Sequence, residues 1–188
     1  MSAPPRAVLD SNVIFSRVLY ELLGRVAATL RLLDLIWSDE LLAEAERVLI
    51  ERKPLTPEQA SRWVGYLRTA FPDGRVDLAT VSADAATLSF DPADAHVCAL
   101  ALGGGADYLF TFDRGYLSDA LAAHNVQVVA PDEFLSSAID REPEAFATLL
   151  KEQADAWGGG RPPAELLGAF ERANAPRFAG KARRLLAL

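Results

Sequence analysis

Four carboxylates stand where short apolar runs end or helices begin: Asp10 follows Ala7-Val8-Leu9, Glu44 lies one turn into a helical stretch, Asp94 closes Asp91-Pro92-Ala93-Asp94, and Asp113 lies two residues past Tyr108-Leu109-Phe110-Thr111. In an open parallel sheet, ligands bind outside the carboxyl ends of the strands, so acids at those ends are placed for chemistry. Acids gathered there repel, at roughly 1–4 kcal/mol per pair at about 4 Å in aqueous to near-surface dielectric. Proton uptake, a basic side chain or a metal relieves that repulsion. Arg114 and His96 are the only basic candidates near the expected rim. A hard, oxygen-loving cation, Mg²⁺ or Mn²⁺, is therefore the economical counter-ion.

Each residue also has a plainer reading. Asp91 and Asp94 suit the cap and first turn of a helix. Asp10 and Asp113 suit turns, and Glu44 suits a solvated face. Asn12, Ser38 and Thr111 are fitted to hold carboxylates or water, or simply to cap and turn. His96 reads as a packing residue and Cys98, one turn on, as a buried one.

The elements that must position these groups are legible as patterns. Ala7–Leu9, Leu35–Trp37, Tyr108–Thr111 and Val126–Val129 are strand-like runs. Between the first two, Val18, Leu19, Leu22, Leu23 and Val26 recur with helical spacing. Ser38 caps a helix over about 40–52, and Thr56-Pro57-Glu58-Gln59 opens another, ended by Pro72-Asp73-Gly74. At about 100° per residue, Glu44 falls about 60° from Leu41, on the border of the apolar face. Residues 75–90 read as loop and weak helix. Asp91 to about Leu102 is an almost wholly apolar helix, ended by Gly103-Gly104-Gly105, and a short helix starts near Tyr116. The alternation predicts an α/β fold, a parallel sheet covered on both faces.

Composition bounds the rest. The 188 residues carry 19 Lys+Arg against 26 Asp+Glu, a formal charge of −7. Residues 140–188 lack strand signals and hold 8 bases against 7 acids, which leaves 11 against 19 for residues 1–139. Two domains are expected, 1–139 and a helical extension 140–188, with breaks at Gly158-Gly159-Gly160-Arg161-Pro162-Pro163 and Ala175-Pro176. One Cys and two His exclude a disulfide framework and a thiolate–imidazole zinc site within the chain. No apolar run approaches a membrane span and the N-terminus lacks a signal-peptide core, so a soluble cytoplasmic protein without a membrane partner is expected. An acidic chain argues against sequence-blind coating of nucleic acid. A local exception is Arg172, Arg177, Lys181, Arg183 and Arg184, a run without acids that suits phosphate contact or a solvated helix end.

Taken in order, Leu9-Asp10-Ser11-Asn12-Val13, Ser38-x5-Glu44-x3-Val48-Leu49, Asp91-Pro-x-Asp94-Ala-His96-Val and Leu109-Phe-Thr111-x-Asp113 resemble the PIN-domain ribonucleases, and among them the VapC-type toxins of toxin–antitoxin pairs. The resemblance covers about residues 5–138. It implies a three-layer α/β/α domain whose acidic tetrad, Asp10, Glu44, Asp94 and Asp113, holds one or two divalent ions, with Asn12, Ser38, Asp91 and Thr111 around it. It further implies cleavage of RNA to 5′-phosphate and 3′-hydroxyl ends, and silencing by a cognate antitoxin protein. A homodimer is left open. Ser11 stands where the family usually has Thr and keeps the hydroxyl.

Other readings compete. A haloacid-dehalogenase-like phosphohydrolase wants an Asp two residues after its nucleophile, where this chain has Asn12. A receiver-like signalling module wants adjacent acids after the first strand and a late Lys, and both are missing. A PIN fold kept as a binding module without nuclease activity is compatible with the sequence.

Overall fold

The computed structural model describes residues 3–80, 87–157 and 162–187. Positions 81–86 of the expected loop, and the Gly158-Gly159-Gly160-Arg161 break, lie outside the described residues. The chain divides into two compact units: Met1–Phe15 with Arg31–Val129, and Ser16–Leu30 with Ala130–Leu188.

The first unit is built on a parallel sheet. Its strands are β1 (Arg6–Leu9), β2 (Asp34–Ile36), β3 (Tyr108–Phe110) and β4 (Gln127–Val129), in spatial order β2-β1-β3-β4. Ala7 is in register with Leu35 on one side and Tyr108 on the other, and Leu109 with Val128. Ala7, Val8, Leu9, Leu109 and Phe110 are buried, as in strands covered on both faces.

Helices of the same unit flank this sheet: α1 (Ser11–Ile14), α3 (Asp39–Arg52), α4 (Pro57–Ala70), α5 (Ala95–Gly103) and α6 (Ser118–Ala122). The intervening α2 (Arg17–Arg25) belongs to the second unit. The local signals work as read. Ser38 Oγ accepts from the Leu41 amide at 3.2 Å to start α3. Thr56 and Gln59 exchange hydrogen bonds in a capping box at the start of α4. Asp91 Oδ1 accepts from the Ala93 amide at 2.9 Å, opening the turn that leads into α5.

After α4 the chain passes close beside β2. Trp37 N donates to Gly74 O at 3.0 Å and Val76 N to Trp37 O at 2.9 Å. A Cβ on Gly74 would stand 2.2 Å from the Leu35 carbonyl oxygen, so only glycine permits this approach. Lys53 reaches over the rings of Phe15 and Trp63 at 4.3 and 4.6 Å from their centroids, joining the ends of α1 and α3 to the middle of α4 through cation–π contact.

The second unit is helical: α2, a π-helical continuation over Val26–Leu30, then α7 (Pro131–Arg141), α8 (Pro143–Ala156), α9 (Pro163–Arg172) and α10 (Pro176–Leu185). Proline stands at the start of each of the last four, where a missing N–H costs nothing. Helix α7 runs through residue 139, where composition shifts. Its Asp132 accepts from the Phe178 and Arg177 amides at 2.7 and 3.3 Å, so a carboxylate on α7 caps the first turn of α10. Phe178 packs edge-on to Phe170 and Phe146, at 5.1 and 6.0 Å between centroids. Gln153 on α8 donates to Val18 O at 3.0 Å and Arg25 pairs with Glu152 at 3.7 Å, which fastens α2 to α8. No helix among the described residues is long and apolar enough to cross a membrane.

Candidate functional site

Asp10 leaves the carboxyl end of β1 and caps α1. Its Oδ1 accepts from the Ser11 amide at 2.6 Å, and its Oδ2 accepts from Thr111 Oγ1 at 2.6 Å and Asn12 Nδ2 at 2.8 Å. The residue is only 4 % exposed. Thr111, directly after β3, is a junction. Its hydroxyl donates to Asp10 while accepting from Asn12 Nδ2 at 3.0 Å and from the Asp113 amide at 2.9 Å. Asn12 Oδ1 in turn accepts from the Phe112 amide at 3.2 Å. The ends of β1 and β3 are thus tied together by side chains about a hundred residues apart in the chain.

Glu44 enters from the second turn of α3 and is half-buried. Ser11 Oγ donates to its Oε1 at 3.2 Å, and His96 Nε2 lies 2.9 Å from its Oε2. Neither of those last two atoms has a partner at hydrogen-bond geometry among the described residues, so the two meet at close distance without an aligned hydrogen bond. His96 Nδ1 bonds the Ala93 carbonyl at 2.8 Å, which obliges that nitrogen to donate. With a carboxylate facing the other nitrogen, the imidazolium is the form that satisfies both ends. Burial opposes its charge, but Glu44, by hydrogen bond and charge, and the Ala93 carbonyl outweigh it and hold the His96 pKa above the ordinary value. Reciprocally, the His96 hydrogen bond pulls Glu44 below its ordinary value. His96, expected as a packing residue, lies instead against an acid of the site.

Asp94, half-buried, closes the turn before α5, and its Oδ2 accepts from Ser89 Oγ at 3.0 Å. Asp113 is exposed, and its Oδ1 accepts from the Gly115 amide at 2.8 Å, the turn chemistry its setting suggested. Gly115 lies between the two. A Cβ there would be 3.3 Å from Asp113 Oδ1 and 4.0 Å from Asp94 Oδ2.

Electrostatics ties the four acids into one group. Burial, then the charges of Glu44 and Asp94, push the Asp10 pKa up against the hydrogen bonds that favour its ionised form. Burial, then the charges of Asp91, Asp113 and Glu44, push Asp94 up as well. Among the described residues, no three acids, histidines or cysteines converge as a ready-made metal-binding group. The donor set nevertheless suits a hard divalent ion: oxygen ligands in excess of nearby cationic charge, two of them held protonated beyond their ordinary range for want of compensation.

The remaining expected residues fall in different places. Ser38 is buried and caps α3, acting on Glu44 through the helix it starts. Asp91 caps its own turn and contributes charge next to Asp94. In the helical unit, Lys181 Nζ pairs with the Asp140 carboxylate and the Ser136 carbonyl, and Arg183 pairs with Glu171 at 2.9 Å. Arg172, Arg177 and Arg184 are exposed and have no acidic partner among the described residues. Two residues beside the acids carry no functional signal in the sequence. Ser89 falls in the ambiguous stretch 75–90, and Tyr116 reads only as the start of a helix. They meet in an isolated antiparallel bridge beside Asp94.

Family models match both parts of the chain. A family model described as PIN domain matches residues 6–115, more than half of the chain, and one described as VapC50 C-terminal domain matches residues 131–184. No curated protein and no solved structure matches the chain. The first match spans Asp10, Glu44, Asp94 and Asp113, the second spans α7 to α10, and the chain belongs to the PIN-domain family as a VapC-type toxin.

Proposed function

We propose that this chain is a Mg²⁺- or Mn²⁺-dependent endoribonuclease, the toxin of a type II toxin–antitoxin pair, acting through Asp10, Glu44, Asp94 and Asp113. The observation that carries this reading is geometric: Thr111 ties the end of β3 to Asp10, Ser11 joins Glu44 to the same place, and Asp94 and Asp113 flank Gly115. A cluster that repels itself destabilises the fold, and retaining it makes physical sense when a cation completes it. A divalent ion held by these carboxylates supplies charge compensation for the phosphodiester and its leaving 3′-oxygen, and acidifies water.

The chain's own residues supply the rest. Ser11, Asn12 and Thr111 hold Asp10 in one orientation. His96 and Ser11 fix Glu44. Asp94 or Asp113, each with spare lone pairs, orients the attacking water or accepts its proton, in line with the departing oxygen. Arg172, Arg177 and Arg184, unpaired with acids among the described residues, contact the RNA backbone, and Lys181 and Arg183 contribute less because they are already paired. A cognate antitoxin protein is the expected regulatory partner, and the cytoplasm, where RNA and antitoxin both reside, the expected compartment.

The test is cleavage of RNA by purified protein with and without Mg²⁺. Asp10→Asn and Asp94→Asn should each reduce cleavage to the level of the metal-free control while far-UV circular dichroism stays native. Undiminished cleavage by both variants sinks the assignment. A wild-type protein that binds RNA without cutting it points instead to a binding module.

A further inference from the structure

Tyr116 is 4 % exposed, and its hydroxyl is buried with no partner at hydrogen-bond geometry among the described residues. Its chain neighbour Gly115 borders Asp113 and Asp94, and Ser89, its bridge partner, donates to Asp94. Its backbone is fixed there. Tyr116 bridges Ser89, Leu117 N donates to Leu88 O at 2.9 Å, and Phe90 N donates to Gly115 O at 2.9 Å. A buried hydroxyl left unpaired is destabilising, and phenylalanine would fill the same space without that cost. The hydroxyl therefore has a use in some state of the site other than this one. With an ordinary phenol pKa of about 10, the hydroxyl is a neutral donor at neutral pH, and the acids around it are Asp10 and Asp94.

Acceptor capacity picks its partner. A carboxylate offers about four lone-pair sites. Asp10 already accepts from four donors among the described residues: Ser11 N, Asn12 Nδ2, Thr111 Oγ1 and, at 3.4 Å, Ser11 Oγ. Among the described residues, Asp94 accepts from Ser89 Oγ alone, at 3.0 Å, and that proton is shared with the Gly115 carbonyl at 3.3 Å. Asp94 is thus the under-bonded acid beside an unused donor.

We propose that Tyr116 is a positioning residue of the acidic site, whose hydroxyl donates to the Asp94 carboxylate when the site holds a divalent cation. The inference rests on the metal-site reading above and adds to it a neutral donor that orients one ligand. Groups that hydrogen-bond metal ligands typically change metal affinity about 10- to 100-fold when removed.

The experiment uses the full chain freed of metal with EDTA, as wild type and Tyr116→Phe. Two quantities are read: the melting temperature without metal, and the Kd for Mn²⁺ by titration. The expected result has opposite signs. The variant melts no lower than wild type, because an unpaired hydroxyl has gone, yet binds Mn²⁺ about tenfold more weakly. A merely structural hydroxyl would lower the melting temperature and leave the affinity alone. Mn²⁺ binding as tight as wild type overturns the proposal, as does a variant that melts lower without metal, since the hydroxyl would then already be bonded. Absence of Mn²⁺ binding by wild type fails the metal-site reading itself, and this inference with it.

Discussion

At the scale of single residues, the acids are held in opposite protonation regimes by their neighbours. Glu44 is pulled down by His96, while Asp94 is pushed up by burial and by Asp91, Asp113 and Glu44. The sign for stability follows. A carboxyl raised in the folded state contributes fully below the ordinary carboxylate range, and that contribution is lost as pH rises through the folded value. Metal-free protein at neutral pH therefore carries the cost of an ionised Asp94. Asp94→Asn should raise the melting temperature of EDTA-treated protein by a few degrees at about pH 7, with the advantage shrinking as pH falls toward about 4. Melting curves across that range check it, and an advantage that does not change with pH would assign the effect to something other than charge. The Glu44–His96 pair runs the other way. Its stabilisation is present above the carboxylate range and fades as pH rises through the raised His96 value.

At the scale of elements, close backbone approach decides as much as side-chain pattern. The segment after α4 runs against β2 only because Gly74 has no Cβ, and Trp37 Nε1 secures the same junction by donating to Phe71 O at 2.8 Å. Gly74→Ala would push a methyl carbon to within 2.2 Å of Leu35 O and must move backbone rather than a flexible side chain. The expected cost is about 1–3 kcal/mol or more, as for overpacking in a core. Urea unfolding should show a lower midpoint, whereas Gly65→Ala, with nothing within 4 Å of its Cβ, serves as the control that keeps or gains stability. Since β2 leads into α3 and so to Glu44, Gly74→Ala should also weaken Mn²⁺ binding, while Gly65→Ala should not.

At the scale of the whole molecule, charge is partitioned. The −7 of the chain arises from residues 1–139, and the tail is slightly basic. Binding of single-stranded RNA releases counterions, so log K should fall with log salt at about 0.7 per phosphate contacted. Replacing Arg172, Arg177 and Arg184 together by Ala should flatten that slope by about 2, whereas replacing Lys181 and Arg183, already paired with Asp140 and Glu171, should change it less. Filter binding by a cleavage-deficient variant over a salt series measures this, and an unchanged slope removes the basic run from the interface.

Much of this organisation is legible in the chain itself. Apolar runs, caps at Ser38, Thr56 and Asp91, and prolines at helix starts obey rules that reach only a few residues, and they place Asp10, Glu44, Asp94 and Asp113 at element ends without any knowledge of packing. What those rules do not reach is which ends meet. Strand order β2-β1-β3-β4 brings Thr111 onto Asp10 from far along the chain, the rotation of α3 against α5 sets His96 on Glu44, and the bridge to Ser89 fixes the backbone of buried Tyr116. The grouping of α2 with the C-terminal helices is of the same kind, resting on contacts such as Gln153 to Val18. Such pairings depend on helix rotation and sheet order, which only the assembled core sets, so the sequence by itself named the acids and the tertiary structure chose their partners.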